Sequence, residues 1–181
     1  MTERPFLPVR FAVLTVSDTR GAADDRSGDT LAARVEEAGH LLAARAILRD
    51  ERDGIAAQLR AWIADPGIDA VLTTGGTGLT GRDVTVEAHR DVYEKEVEAF
   101  GTVFTIVSMR TIGTSAIQSR ACAGVAGGTY LFALPGSPGA CRDAWDEILR
   151  PQFDYRHRPC NFVEIMPRLE EHRGPGGSRG A

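Results

Sequence analysis

Between Val71 and Asp83 the chain runs Val-Leu-Thr-Thr-Gly-Gly-Thr-Gly-Leu-Thr-Gly-Arg-Asp, passing from an apolar β-type run through a glycine loop to the start of a helix. Ile68, Ala70, Val71 and Leu72 are too continuously apolar for a strand with one wet face. They predict a strand covered on both sides, and therefore a sheet flanked by helices. Three glycines among the next four residues remove Cβ atoms, so main-chain N–H groups can approach an anion closely. The loop lacks both the Lys-Ser/Thr ending of a Walker A loop and the spacing of a dinucleotide fingerprint. By themselves the glycines read either as a tight turn or as an anion cradle. Asp83 also has two readings, as a helix N-cap ahead of Val84-Thr85-Val86-Glu87 or as a carboxylate that holds a metal against a bound phosphate.

The flanking pattern supplies the other strands. Residues 1–8, with Pro5 and Pro8, read as an extended arm, and Phe11 to Val16 as the centre of a first strand ending in Ser17 and Asp18. Thr19 to Gly28 reads as a polar loop in which Asp25 is a solvated acid. Leu31, Val35 and Ala38 have helical spacing, closed by Gly39. Leu41 to Leu48 is a second strand. Asp50 then opens a helix carrying Ile55, Leu59, Trp62 and Ile63 on one face, with Asp53 completing an approximate capping pattern. Alternating strands and helices predict right-handed crossovers and a mainly parallel sheet, a three-layer α/β fold.

Beyond Asp83 the spacing predicts a helix with Val86, Val92 and Tyr93, an acidic patch at Glu94, Glu96 and Glu98, and a helix through Phe100, Phe104 and Val107 interrupted near Gly101. Residues 108–120 read as loop with one short helix. Ala121 to Val125 and Tyr130 to Leu134 are strands joined by a turn at Gly127-Gly128. Ser137 caps a last helix with Pro138 at its first position and Cys141, Trp145, Ile148 and Leu149 buried. The expected organisation is an arm over 1–8, one domain over 9–165 and a flexible tail over 166–181, glycine-rich from about Arg173.

Composition narrows the function classes. With 181 residues, 43% of them hydrophobic, the chain suits one α/β domain. A net charge of −4 and a pI near 5.6 argue against a general nucleic-acid binder. Cys122, Cys141 and Cys160 have no C-x-x-C spacing, which predicts reduced thiols without a disulfide or zinc framework. With no apolar run long enough for a membrane span, the expectation is a cytoplasmic protein. His40, His89, His157 and His172 show no ligand spacing, and no nucleophilic triad can be assembled.

In an open parallel sheet, ligands collect beyond the carboxyl ends of the strands. Ser17-Asp18, Asp50, Thr74 to Asp83 and Pro135 to Ser137 all fall there. Two carboxylates after two separate strands are compatible with a Mg²⁺ ion completed by substrate phosphates. Asp50 taken alone reads first as a helix cap. Ser108, Ser115 and Ser119 read as polar surface or as hydrogen-bond donors to a polar ligand, and Arg120 as a surface ion pair or a phosphate partner.

These motifs, Leu14-Thr15-Val16-Ser17-Asp18, Thr73 to Gly78 with Arg82-Asp83-Val84-Thr85, Ser119-Arg120, and Leu134 to Pro138, resemble the MoaB/MogA family of molybdenum cofactor biosynthesis proteins, related to the G domain of gephyrin. The likeness covers about residues 9–165. The arm Phe6-Leu7-Pro8 and the ending Arg158-Pro159-Cys160-Asn161-Phe162 are more similar to the MoaB branch. Val86 departs from the proline that many members carry. The resemblance implies a molybdopterin-binding, MogA-like fold assembled as a homotrimer or homohexamer, with other molybdenum cofactor biosynthesis proteins as further partners. It also implies Mg²⁺- and ATP-dependent adenylylation of molybdopterin. By position the two acids for that reaction are Asp50 and Asp83, which also hold Mg²⁺. The ligand contacts fall on Ser17, Asp18, Asp25, Gly75, Gly76, Thr77, Gly78, Ser108, Ser115, Ser119, Arg120, Pro135, Gly136 and Ser137. The alternatives are a non-catalytic molybdopterin carrier and, more remotely, a nucleotide-processing domain like that of the competence-damage proteins.

Overall fold

Phe11, Val13 and Thr15 face one side of the first strand and Ala12, Leu14 and Val16 the other, and all six are buried. A strand with no wet face needs cover on both sides, and it receives it. The computed structural model describes residues 4–19 and 21–173. Its strands are β1 (Arg10–Val16), β2 (Leu41–Leu48), β3 (Ala70–Thr74), β4 (Lys95–Glu96), β5 (Cys122–Ala126) and β6 (Thr129–Leu134). Its main helices are α1 (Arg26–Glu37), α2 (Arg52–Ala64), α3 (Thr85–Arg90), α4 (Glu98–Ile112) and α5 (Pro138–Ala144). The last of these runs on through a π-helical turn, Trp145–Leu149.

The strands form one sheet in the order β2-β1-β3-β6-β5-β4. β2, β1, β3 and β6 are parallel, whereas β5 is antiparallel to both of its neighbours. Phe11, Leu72 and Phe132 pack with α1, α4 and α5 on one face; Leu14, Val71 and Leu131 pack with α2 on the other. This is the three-layer, mainly parallel arrangement that the alternation of strands and helices predicts.

Several details depart from the sequence reading, among them α3, which ends at Arg90 and leaves Val92 and Tyr93 beyond it. α4 passes through Gly101 without a break: a Cβ there would lie 2.9 Å from the Ala121 carbonyl oxygen, so the glycine serves close packing of the helix. Residues 108–120 are the end of α4 followed by 3₁₀ turns over Gly113–Gln118. The acidic patch contributes β4, whose two exposed residues pair through main chain with Val125 and Gly124. Residues 166–173, expected in the tail, form 3₁₀ turns, with Arg173 ion-paired to Glu170 and Glu94. The rest of that tail lies outside the described residues.

Two histidines sit in this core with consequences for acid stability. His89 is fully buried and shares hydrogen bonds with Thr73 Oγ1 at 2.8 Å and Tyr93 Oη at 3.0 Å. Nδ1 of His40 accepts the Val9 N–H at 3.1 Å. Burial pushes the imidazoles down to about 3 and about 4 respectively. In the unfolded chain both titrate near 6.5, so lowering the pH protonates the unfolded state first. Their contribution is complete above that value and is lost as the pH falls toward the folded values. For His89 this amounts to at most about 1.4 kcal/mol per pH unit. Urea unfolding at pH 7, 6 and 5 should show the decline, with a shallower slope in His89→Gln.

Candidate functional site

β1, β2, β3 and β6 deliver their carboxyl ends to one edge of the sheet. Ser17 follows β1, Asp50 follows β2, Gly75 to Asp83 follow β3, and Pro135 to Ser137 follow β6. Between them lies a cavity of about 500 Å³, walled on its remaining side by α4 and the 3₁₀ turns. Of the predicted residues it brings together Ser17, Asp50, Gly75, Gly76, Thr77, Gly78, Asp83, Ser108, Ser115, Ser119, Pro135, Gly136 and Ser137. Thr19, Arg82, Phe104, Ile112, Gln118 and Ala140 also line it and were not anticipated. Arg82 adjoins Asp83 in the motif, but Phe104 carries only a core signal in the sequence. It is both core and wall.

Three predicted contacts do not line this cavity. Asp18 sits beside it, binding Arg82 through both carboxylate oxygens and accepting the Asp50 N–H at 3.2 Å. Asp25 is not a solvated acid. It is 1% exposed, caps α1 by accepting the Gly28 N–H at 3.0 Å, accepts the Thr15 hydroxyl, and pairs with Arg45 at 2.8 Å. Arg120 turns its guanidinium to the rear of the glycine loop.

Neither acid in the cavity caps a helix. The N-cap positions of α2 and α3 are Glu51 and Val84, without side-chain cap hydrogen bonds. Asp83 instead folds its own loop, accepting the Thr80 N–H at 2.8 Å and the Thr80 hydroxyl at 2.6 Å. Burial opposes its ionisation, but those bonds, one from Gly78 and the charge of Arg120 hold its carboxyl below the usual carboxylate range. Asp50 shifts the other way: burial first, then the negative charges of Asp18 and Asp83, push it up. Two acids from separate crossovers therefore share one cavity, and Asp50 senses the charge of Asp83.

The glycines make room for this. Gly75 and Gly76 have φ of +101° and +64°, in the left-handed region that other residues adopt at a cost. A Cβ on Gly76 would lie 2.6 Å from Asp50 Oδ1 and 2.3 Å from Thr85 Oγ1. The Thr85 hydroxyl is buried without a hydrogen-bond partner. A Cβ on Gly78 would lie 2.8 Å from Asp83 Oδ2. Two carboxylates of which one is held against like charge, an orphaned hydroxyl beside it, and glycine main chain between them suit Mg²⁺ shared with ligand phosphates. Among the described residues no cluster of three or more His, Cys, Asp or Glu offers a metal a complete protein shell.

The fold and cavity define an α/β protein with a glycine- and hydroxyl-lined pocket at the carboxyl ends of its parallel strands. The family profile described as "Probable molybdopterin binding domain" matches residues 12–155. The chain is 52% identical over 157 residues to molybdenum cofactor biosynthesis protein B of Escherichia coli K12, covering 87% of this chain and 92% of that protein. It is 44% identical to the protein of the same name from Bacillus subtilis, covering 80% and 86% respectively. A crystal structure of a molybdenum cofactor biosynthesis protein B superposes with a TM-score of 0.82 at 36% identity, covering 94% of this chain and 99% of the other. The chain belongs to the MoaB/MogA family of molybdenum cofactor biosynthesis proteins and carries its molybdopterin-binding domain. No helix among the described residues is long and apolar enough to cross a membrane.

Proposed function

We propose that this protein binds molybdopterin in the cavity and adenylylates it with Mg-ATP. The observation that carries the reading is the meeting of Asp50 and Asp83 in one cavity, where burial first and then the charges of Asp18 and Asp83 raise Asp50. In the reaction an oxygen of the terminal phosphate of molybdopterin attacks the α-phosphorus of ATP. The bond to the β-phosphate oxygen breaks, leaving adenylyl-molybdopterin and pyrophosphate. Asp50 and Asp83 would hold Mg²⁺, which when bound neutralises charge on the triphosphate. With the Gly75 N–H bonded to the Leu134 carbonyl and that of Gly78 to Asp83, the main-chain N–H groups of Gly76 and Thr77 are the ones the loop would offer to phosphate oxygens. Ser108, Ser115 and Ser119 offer hydroxyls to the polar ligand from the opposite wall. Alignment and charge stabilisation suffice, and no covalent enzyme intermediate is required.

The test is to incubate purified protein with molybdopterin, ATP and Mg²⁺ and search for adenylylated pterin by mass. Saturable pterin binding without ATP consumption would identify a carrier instead. That second reading is motivated by the MoaB-like ends of the chain, Phe6-Leu7-Pro8 and Arg158 to Phe162. Nucleotide turnover without pterin would point to a nucleotide-processing domain.

The proposed assembly is a homotrimer or homohexamer, and α4 supports it. Phe100, Phe104 and Val107 bury one side of this helix while Val103, Ile106 and Met109 leave the opposite side apolar and exposed. An exposed apolar row of this kind, beside a face already buried in the core, is normally covered by a further surface. Ile106→Glu is expected to move the protein to monomer in sedimentation velocity. A wild-type protein already monomeric at micromolar concentration would rule the assembly out.

A further inference from the structure

Arg120 lies between the 3₁₀ turns and β5, and its hydrogen bonds converge on one target. Its main-chain N–H donates to the Thr77 carbonyl at 3.0 Å, Nε to the Gly78 carbonyl at 2.8 Å, and Nη2 to the Asp83 carbonyl at 3.0 Å. Nη1 and Nη2 also donate to the carboxylate of Glu87 on α3, the helix into which the loop runs. The accepting carbonyls mark both ends of the segment that carries Asp83. That segment includes Gly78 and Gly81, which add no stiffness of their own, and its internal tie is the turn between Thr80 and Asp83. A planar fork that meets two carbonyls and a carboxylate fixes their relative positions, which a point charge on a flexible stem does not.

We infer that Arg120, anchored by Glu87, is a positioning residue that clamps the Gly78–Asp83 loop to α3, and is not a contact of the ligand's phosphate. The inference deepens the reading given above: Arg120 acts on the reaction through the placement of Asp83. It also replaces the role that family resemblance suggests for this arginine, because its donors are directed at the loop.

The experiment compares wild type with Arg120→Ala, Arg120→Lys and Glu87→Gln. Its first readout is hydrogen exchange at the bonded amides of Thr80, Asp83 and Thr85 in ligand-free protein. Exchange there is expected to quicken at least tenfold in R120A, and several-fold in E87Q, while amides of β1 and β3 keep wild-type protection. The second readout is molybdopterin affinity, expected to stay within about threefold, with adenylylation kcat falling at least tenfold. R120K should recover little of the kcat, since one ammonium cannot span both carbonyls and Glu87. Unchanged loop exchange in both R120A and E87Q overturns the clamp. So does a tenfold loss of molybdopterin affinity in R120A that R120K restores, which assigns the guanidinium to the ligand. If wild type forms no adenylylated pterin, the transferase reading fails, and exchange with affinity still decides the clamp. Should R120A not fold, E87Q and R120K carry the same comparison.

Discussion

Replacing Asp50 with Asn is expected to make the protein more stable and much less active at once. Burial and the charges of Asp18 and Asp83 raise the pKa of Asp50 above its free value of 3.8. An acid raised in the folded state favours folding fully below its unfolded pKa, and that contribution is lost as the pH rises through the folded value. At pH 7 the ionised side chain therefore opposes the fold, and the neutral amide relieves it. Tm should rise in D50N at pH 7, and the gain should vanish on acidification as the wild-type carboxyl takes up its proton. Asp83 predicts the opposite sign. Its pKa is lowered, so its contribution is present above 3.8 and disappears as the pH falls through the folded value. D83N should melt below wild type at pH 7 and converge with it in acid. Both variants should lose adenylylation by about 100-fold or more while retaining molybdopterin, as removal of a preorganised charge does elsewhere. Undiminished turnover in both variants would end the assignment of the two acids. A lower Tm for D50N at neutral pH would contradict the electrostatics behind it.

Gly75→Ala carries the largest expected loss of stability. The residue sits at φ +101°, and an added Cβ would lie 2.1 Å from the carbonyl oxygen of Val16, main chain of the neighbouring strand. No side chain can swing aside, because the obstacle is β1 itself, and the Gly75 N–H is tied to the Leu134 carbonyl at 3.0 Å. Left-handed strain and a main-chain clash together are expected to cost about 3–5 kcal/mol, a large part of a domain's stability. Gly81→Ala, where nothing lies within 4 Å of the added carbon, is the matched control and should remain near wild type. Urea midpoints and the soluble fraction on expression measure both. A G75A protein within 1 kcal/mol of wild type would show that the loop can relocate, and would undo its reading as a fixed cradle.

The central strands were legible because burial on both faces leaves an unbroken apolar run, as in Val71-Leu72 and Tyr130 to Leu134. The edge element β4 was not, since Lys95 and Glu96 are exposed and pair only through main chain, which carries no side-chain signal. Gly101 misled for a related reason. Glycine in a helix reads as a break, whereas here it lets α4 approach the Ala121 carbonyl. In the site, the residues directly after strand ends were legible because sheet topology assigns strand ends a place. Asp25 escaped because the groups that bury its charge, Thr15 and Arg45, come from two different strands. The back-facing geometry of Arg120 escaped likewise, its partner Glu87 lying 33 positions away. Spacing along the chain holds no record of such pairs.

The cavity takes walls from chain positions as far apart as Ser17 and Ser137. Under the proposed function, a polypeptide leaving the ribosome thus has no receptor for a pterin until β6 has docked beside β3. Ligand added during refolding should leave the folding rate unmoved and slow only unfolding. A pterin bound as proposed would act as a late lock on a finished molecule, never as a template for making one.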